Sequence, residues 1–112
     1  MYRIEGDGSY NHTKIWRDDE IVDEWYKCVI VISSDDTCTA ALDNEYAGYL
    51  DRIVINGIYK IIGDGKYTNT AVFIEDQFVH GVQYLEVNIT KGEHSRIYID
   101  AILLPNKVVD NA

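Results

Sequence analysis

The chain is poor in the residues that most often carry chemistry or enforce a framework. It has two cysteines, one proline and three histidines in 112 residues. Two thiols, Cys28 and Cys38, cannot build a disulfide framework and are too few for a structural zinc site, so free cysteines are expected, with Cys28 in the core. His12, His80 and His94 do not fall at metal-ligand spacing on any plausible strand face. There is no serine in a nucleophile elbow, no local Cys-His signature and no phosphate-binding glycine loop. No enzymatic activity, metal or cofactor is therefore expected.

Basic residues are also scarce, with 10 against 19 acidic ones and a net charge of -9. That balance disfavours nucleic acid and anionic membrane surfaces as partners. No apolar run approaches the roughly 18 residues that a membrane span needs. The opening residues lack a positive stretch followed by an apolar one. The expectation is a soluble protein, intracellular at synthesis and not secreted by a signal peptide.

What the sequence does contain is a repeat. A shift of 57 positions aligns Tyr2 with Tyr59, Ile4 with Ile61, Gly6-Asp7-Gly8 with Gly63-Asp64-Gly65, Tyr10 with Tyr67 and Thr13 with Thr70, seven identities in thirteen positions. The register continues through Trp16 with Phe73, Val22 with Val79 and Ile30 with Val87. Beyond Ser33 two alignments compete. One keeps the spacing and matches Leu42-Asp43 with Ile99-Asp100. The other shortens it to 49, matches Tyr49 to Ile53 with Tyr98 to Ile102, and leaves about eight extra residues in the first copy; it is preferred for its identities. The repeats are then residues 2–57 and 59–106, with 107–112 as a tail.

Each copy reads as about four short strands, and 112 residues suffice for one shared core but not for two. The fold expected is all-β, a small single-domain sandwich or barrel built from two tandem hairpin units related by a pseudo-twofold or a translation. Asp7-Gly8 and Asp64-Gly65 carry the signature of type I′ hairpin turns, in which both central residues have positive φ. Leu85, Val87 and Ile89 alternate with Glu86 and Asn88, the pattern of a half-buried strand. The first copy has Cys28, Val29, Ile30, Val31 and Ile32 there, apolar on both faces and so expected to be covered twice. Residues 37–46, with Thr37 as a candidate N-cap and helix-favouring Ala40-Ala41-Leu42, could form a covering short helix or a further strand. A second chain could equally cover it, which makes Val29 and Val31 candidates for an oligomer interface.

Two surface features are candidates for partner binding. Asp18, Asp19, Glu20, Asp23 and Glu24 place five acids in seven positions. They suit a basic partner or a weak calcium site, or simply a solvated turn that protects solubility. Trp25, Tyr26, Tyr46 and Tyr49 occur in the first copy only and are the best candidates for an aromatic recognition surface.

The stretch from Thr70 to Ile89, with its short strand, acidic turn at Glu75-Asp76, Val79-His80-Gly81-Val82 and long alternating strand, resembles small all-β proteins encoded by tailed bacteriophages and prophages. The first copy departs from the pattern, with Asp23-Glu24 around the position of Gly81. The resemblance implies a non-enzymatic interaction or structural protein, virion-associated or accessory, acting through a protein partner or self-association. Two other readings compete: an acidic inhibitor of a basic host or defence protein, and a small-ligand or carbohydrate-binding β domain.

A unit of about 50 residues buries too little apolar surface to offset its conformational entropy. A chain ending at Gly57 is expected to be unfolded or to dimerise. Circular dichroism melts with sedimentation equilibrium check this, and a cooperatively melting monomer would contradict it.

Overall fold

The computed structural model describes residues 1–100 and the short strand at residues 102–103. The chain is all-β, with no α-helix among the described residues. Its strands are β1 (Tyr2–Gly6), β2 (Thr13–Arg17), β3 (Glu20–Ile21), β4 (Lys27–Ser33), β5 (Cys38–Leu42) and β6 (Gly48–Asn56). They continue with β7 (Tyr59–Gly63), β8 (Ala71–Ile74), β9 (Gln77–Phe78), β10 (Tyr84–Thr90), β11 (Arg96–Ile99) and β12 (Ile102–Leu103). Single 3-10 turns at Tyr10–His12 and Tyr67–Asn69 lead into β2 and toward β8. The proposed tail, 107–112, lies outside the described residues.

One half of the sheet runs β12-β11-β10-β4-β5-β6, and the other runs β3-β2-β1-β6-β7-β8-β9. Strand β6 belongs to both, pairing with β5 through Gly48 and Tyr49 and then with β1 and β7. The alternation of side chains explains why these segments are strands. In β4 and β10 every second residue is buried: Cys28, Ile30 and Ile32, then Leu85, Val87 and Ile89. They join Ile4, Ile15, Ile53, Ile55, Tyr59 and Ile61 in one hydrophobic cluster drawn from both halves.

Three expectations are corrected. Residues 37–46 contain no helix: Cys38, Ala40 and Leu42 are buried while Thr39 and Ala41 are half-buried, a period of two, and β5 pairs with β4 on one edge and β6 on the other. Paired backbone and alternating burial override the helix propensity of three residues. The Asp7-Gly8 and Asp64-Gly65 turns are not two-residue I′ hairpins, because only the glycines have positive φ, 91° and 94°. Asp7 and Asp64 instead accept backbone N–H bonds from Ser9 and Lys66, two residues on. Tight turns of the I′ kind, with both central residues at positive φ, occur at the acidic pairs Asp18-Asp19 and Glu75-Asp76.

The third correction concerns the alignment after Ser33. Asp43 Oδ1 accepts from the backbone N–H groups of Tyr26 and Lys27, at 2.8 and 3.0 Å, and Asp100 Oδ1 from those of Gln83 and Tyr84, at 2.8 and 2.9 Å. The Asp43 N–H in turn donates to the Lys27 carbonyl and that of Asp100 to the Tyr84 carbonyl. These contacts keep the ungapped spacing of 57, whereas Tyr49 to Ile53 lie in β6 and Tyr98 in β11.

The pairing registers carry a twofold pattern. In the β4–β10 ladder Ile30 meets Val87, the residue 57 positions on. Outward from that pair Lys27 meets Thr90 while Ser33 meets Tyr84, so each strand presents the same positions to the other, as in an isologous contact. The other half of the sheet centres on Val54. Glu5 of β1 and Ile62 of β7 both flank it, Ile4 and Gly63 flank Ile53, and Gly6 and Ile61 flank Ile55. Strand β6 thus runs parallel to β1 and antiparallel to β7, with Val54 between two residues that are 57 positions apart.

Gly8 shows how tightly the halves meet. A Cβ there would stand 2.7 Å from the Tyr59 hydroxyl. Tyr59 is fully buried, and its hydroxyl shares a 3.0 Å hydrogen bond with Ser95. Both cysteines are buried and free. Burial pushes the Cys28 thiol up to about 12 and the Tyr59 phenol to about 12. Both groups hold their protons in the folded state at pH values where the unfolded chain has lost them. Their contribution is therefore intact below the ordinary values of about 9 and 10 and is lost as pH rises toward 12.

Each such group costs about 1.4 kcal/mol per pH unit within its window. Urea melts should show stability falling steeply above about pH 9, with a shallower fall in Cys28→Ala. Equal slopes for the two proteins would remove Cys28 from the account.

Candidate functional site

Strand β4 lies in the middle of its half-sheet, so its two faces meet different surroundings. Cys28, Ile30 and Ile32 fill the core, while Val29 and Val31 point to the opposite face and remain half-buried. The registers place Tyr49, Thr39, Val31, Glu86 and Tyr98 directly across from one another in a single row over five strands. The neighbouring row is Ala41, Val29, Asn88 and Arg96. The face therefore has an aliphatic centre, tyrosines at both ends of one row, and a carboxylate beside Val31.

Glu86 is held in place on this face. Its Oε1 accepts from the Tyr84 hydroxyl at 3.1 Å and its Oε2 from Asn88 Nδ2 at 3.2 Å. Burial, then the hydrogen bond and charge of Glu86, push the Tyr84 phenol above its ordinary value, so it remains a donor. Along the same face a shallow groove of about 400 Å³ is lined by Tyr26, Lys27, Val29, Glu86, His94 and Arg96, among others. The stretch expected to cover β4 pairs with its edge as β5 instead and leaves Val29 and Val31 half-buried.

The acidic residues do not form one site. Asp18 and Asp19 occupy the tight turn that closes the Arg17–Glu20 pair, a position where αL-tolerant residues such as Asp are favoured. Asp18 is also paired with the amino group of Met1, whose hydrogen bond holds its carboxyl below the usual range. Glu20 lies in β3, and Asp23 and Glu24 in the segment leading to β4; all three are exposed. Among the described residues no group of three or more His, Cys, Asp or Glu side chains is placed to hold a metal ion.

The four aromatics are separated as well. Trp25 turns inward, 8% exposed, with its ring 4.6 Å from that of Tyr10. Tyr26 borders the groove, and Tyr49, 68% exposed, ends the row through Val31. Tyr46 stands in the β5–β6 loop beside a hollow it shares with Asn44 and Glu45. No described pocket is lined by all four, so the aromatic set expected from sequence reduces here to Tyr26 and Tyr49.

Tyr84, Glu86, Arg96 and Tyr98 belong to the face but were not among the candidates. The alternation of β10 marked Glu86 and Asn88 as outward-facing, and only the cross-strand register brings them beside Val31 and Val29. Among the described residues no helix is long and apolar enough to cross a membrane. No family model, curated protein or solved structure matches the chain.

Proposed function

We propose that this is a non-enzymatic interaction protein that docks a protein partner on the sheet face centred on Val31. The observation that carries the proposal is the half-buried Val29–Val31 pair set between Tyr49 and Tyr98, with Glu86 already hydrogen-bonded by Tyr84 and Asn88. Protein interfaces combine an apolar centre with aromatic residues and few unpaired charges, and a carboxylate with its partners in place costs less to bury than a bare one. The net charge of -9 steers basic partners toward the molecule without forming the contact itself.

An accessory or virion-associated role of phage type, in the host cytoplasm or on the particle, accords with the resemblance of residues 70–89. The 57-residue recurrence of turns, side-chain ties and strand registers supports a duplicated unit as the origin of the chain. Self-association is the variant of the proposal in which the partner is a second copy.

Val31→Lys separates docking from folding, because Glu86 directly opposite offers a cross-strand ion pair worth roughly 0.2–1 kcal/mol that helps retain the fold. Affinity capture from cells that carry the protein should recover a partner with the native chain and lose it with Val31→Lys. Sedimentation from low to high micromolar concentration tells whether that partner is a second copy. Replacing Asp18, Asp19, Glu20, Asp23 and Glu24 by their amides should leave capture intact. Undiminished capture by Val31→Lys, or its loss in the amide variant, would overturn the proposal, and the second result would favour the acidic inhibitor.

A further inference from the structure

The two halves place the same backbone around different side chains at one point. Tyr10 donates its hydroxyl to the Trp25 carbonyl at 2.5 Å, and Tyr67 donates to the carbonyl of Val82, the residue in the corresponding position. Val22 and Val79 likewise donate their N–H groups to Ile15 and Val72. In the first half the Trp25 indole fills the space framed by these ties and is buried against the Tyr10 ring. In the second half Val82 stands there, preceded by Gly81 rather than Glu24, and the space is open as a cleft of about 190 Å³.

Apolar side chains predominate among the residues lining this cleft, with polar atoms exposed between them. Ile32, Val72 and Leu85 form its buried side, Phe78, Val79 and Val82 its partly exposed side, and Tyr67 and Thr68 stand at its rim. Thr70 Oγ1, also in the lining, is engaged as a donor to the Lys66 carbonyl at 2.7 Å. Benzene fits a cavity of roughly 150 Å³, so a cleft of about 190 Å³ has room for one flat ring system. It is separate from the Val31 face, because Ile32 and Leu85 belong to the core side of β4 and β10.

We infer that the cleft beside Val82 is a binding site for a small molecule bearing a flat aromatic ring of indole size, which takes the place that Trp25 fills in the other half. Tyr67 at the rim holds the position from which Tyr10 meets Trp25, and Phe78 lines the more exposed side. Apolar side chains on both sides of the cleft suit the faces of a flat ring, and Gly81, where an added Cβ would meet nothing within 4 Å, leaves its entrance clear.

Indole itself is the probe. Titrated into the full chain under methyl-resolved NMR, it should shift the methyl resonances of Val72, Val79, Val82 and Leu85 together, with a Kd below about 1 mM. Val82→Trp should refill the space with the chain's own indole, weaken binding by at least tenfold and leave the melting temperature unchanged or raised. Should Val82→Trp fail to fold, Val82→Phe fills the space in part and should weaken indole at least threefold. Failure of indole to shift these methyls at millimolar concentration, or equal affinity in a folded Val82→Trp or Val82→Phe, overturns the inference.

Discussion

The ladder between β4 and β10 is the contact on which the rest of the molecule depends. Its seven residue pairs place Cys28, Ile30 and Ile32 against Ile89, Val87 and Leu85, all nearly or fully buried. Each strand pairs on its outer side with β5 or β11. Residues of β1, β2, β6, β7 and β8 join the same buried cluster, and Tyr59 with Ser95 closes one point where the two halves of the sheet meet. A small β domain is stable only when its apolar face is covered, and here each half supplies part of the cover for the other.

Around this ladder the chain repeats a small set of polar ties. Asp43 and Asp100 each take two backbone N–H groups at the entry to the central strands, and Tyr10 and Tyr67 each pin the carbonyl of the residue two before that entry. These bonds satisfy backbone groups in connections that have no ladder of their own. They also set the angle at which each strand enters the central sheet. The acidic composition is partly a consequence of this architecture, because Asp is the residue that can cap a turn, accept two backbone bonds or occupy the left-handed region.

The all-β class was legible because alternation is a local property, visible in Leu85 to Ile89 without knowledge of any partner. Identities at a spacing of 57 are dense from Tyr2 to Thr13 and thin out after Ser33, where Asp43 and Asp100 are the one identical pair. Their role rests on backbone bonds to residues 16 or 17 positions away, which no local pattern reveals. Strand β5 was ambiguous because Ala40-Ala41-Leu42 is short and carries helix propensity. Trp25 sits in an acidic stretch and so reads as a surface residue, yet its ring is buried against that of Tyr10, whose hydroxyl also donates to its carbonyl. The open face was half legible: Val29 and Val31 stood out as apolar on the wrong side, while Tyr98 and Glu86 join them only through pairings distant in sequence.

Strand β6 has a consequence for stoichiometry. The place between β1 and β7 is a single berth, which one strand fills by running parallel to one neighbour and antiparallel to the other. The flanking isoleucines, Ile53 and Ile55, make the berth equally apolar in either sense. Two separate copies of the first half would bring two such strands to one berth. One would be left over with its apolar row uncovered, an unpaired strand open to association with other chains. Joining the halves in one chain with one odd strand closes that route by count rather than by affinity.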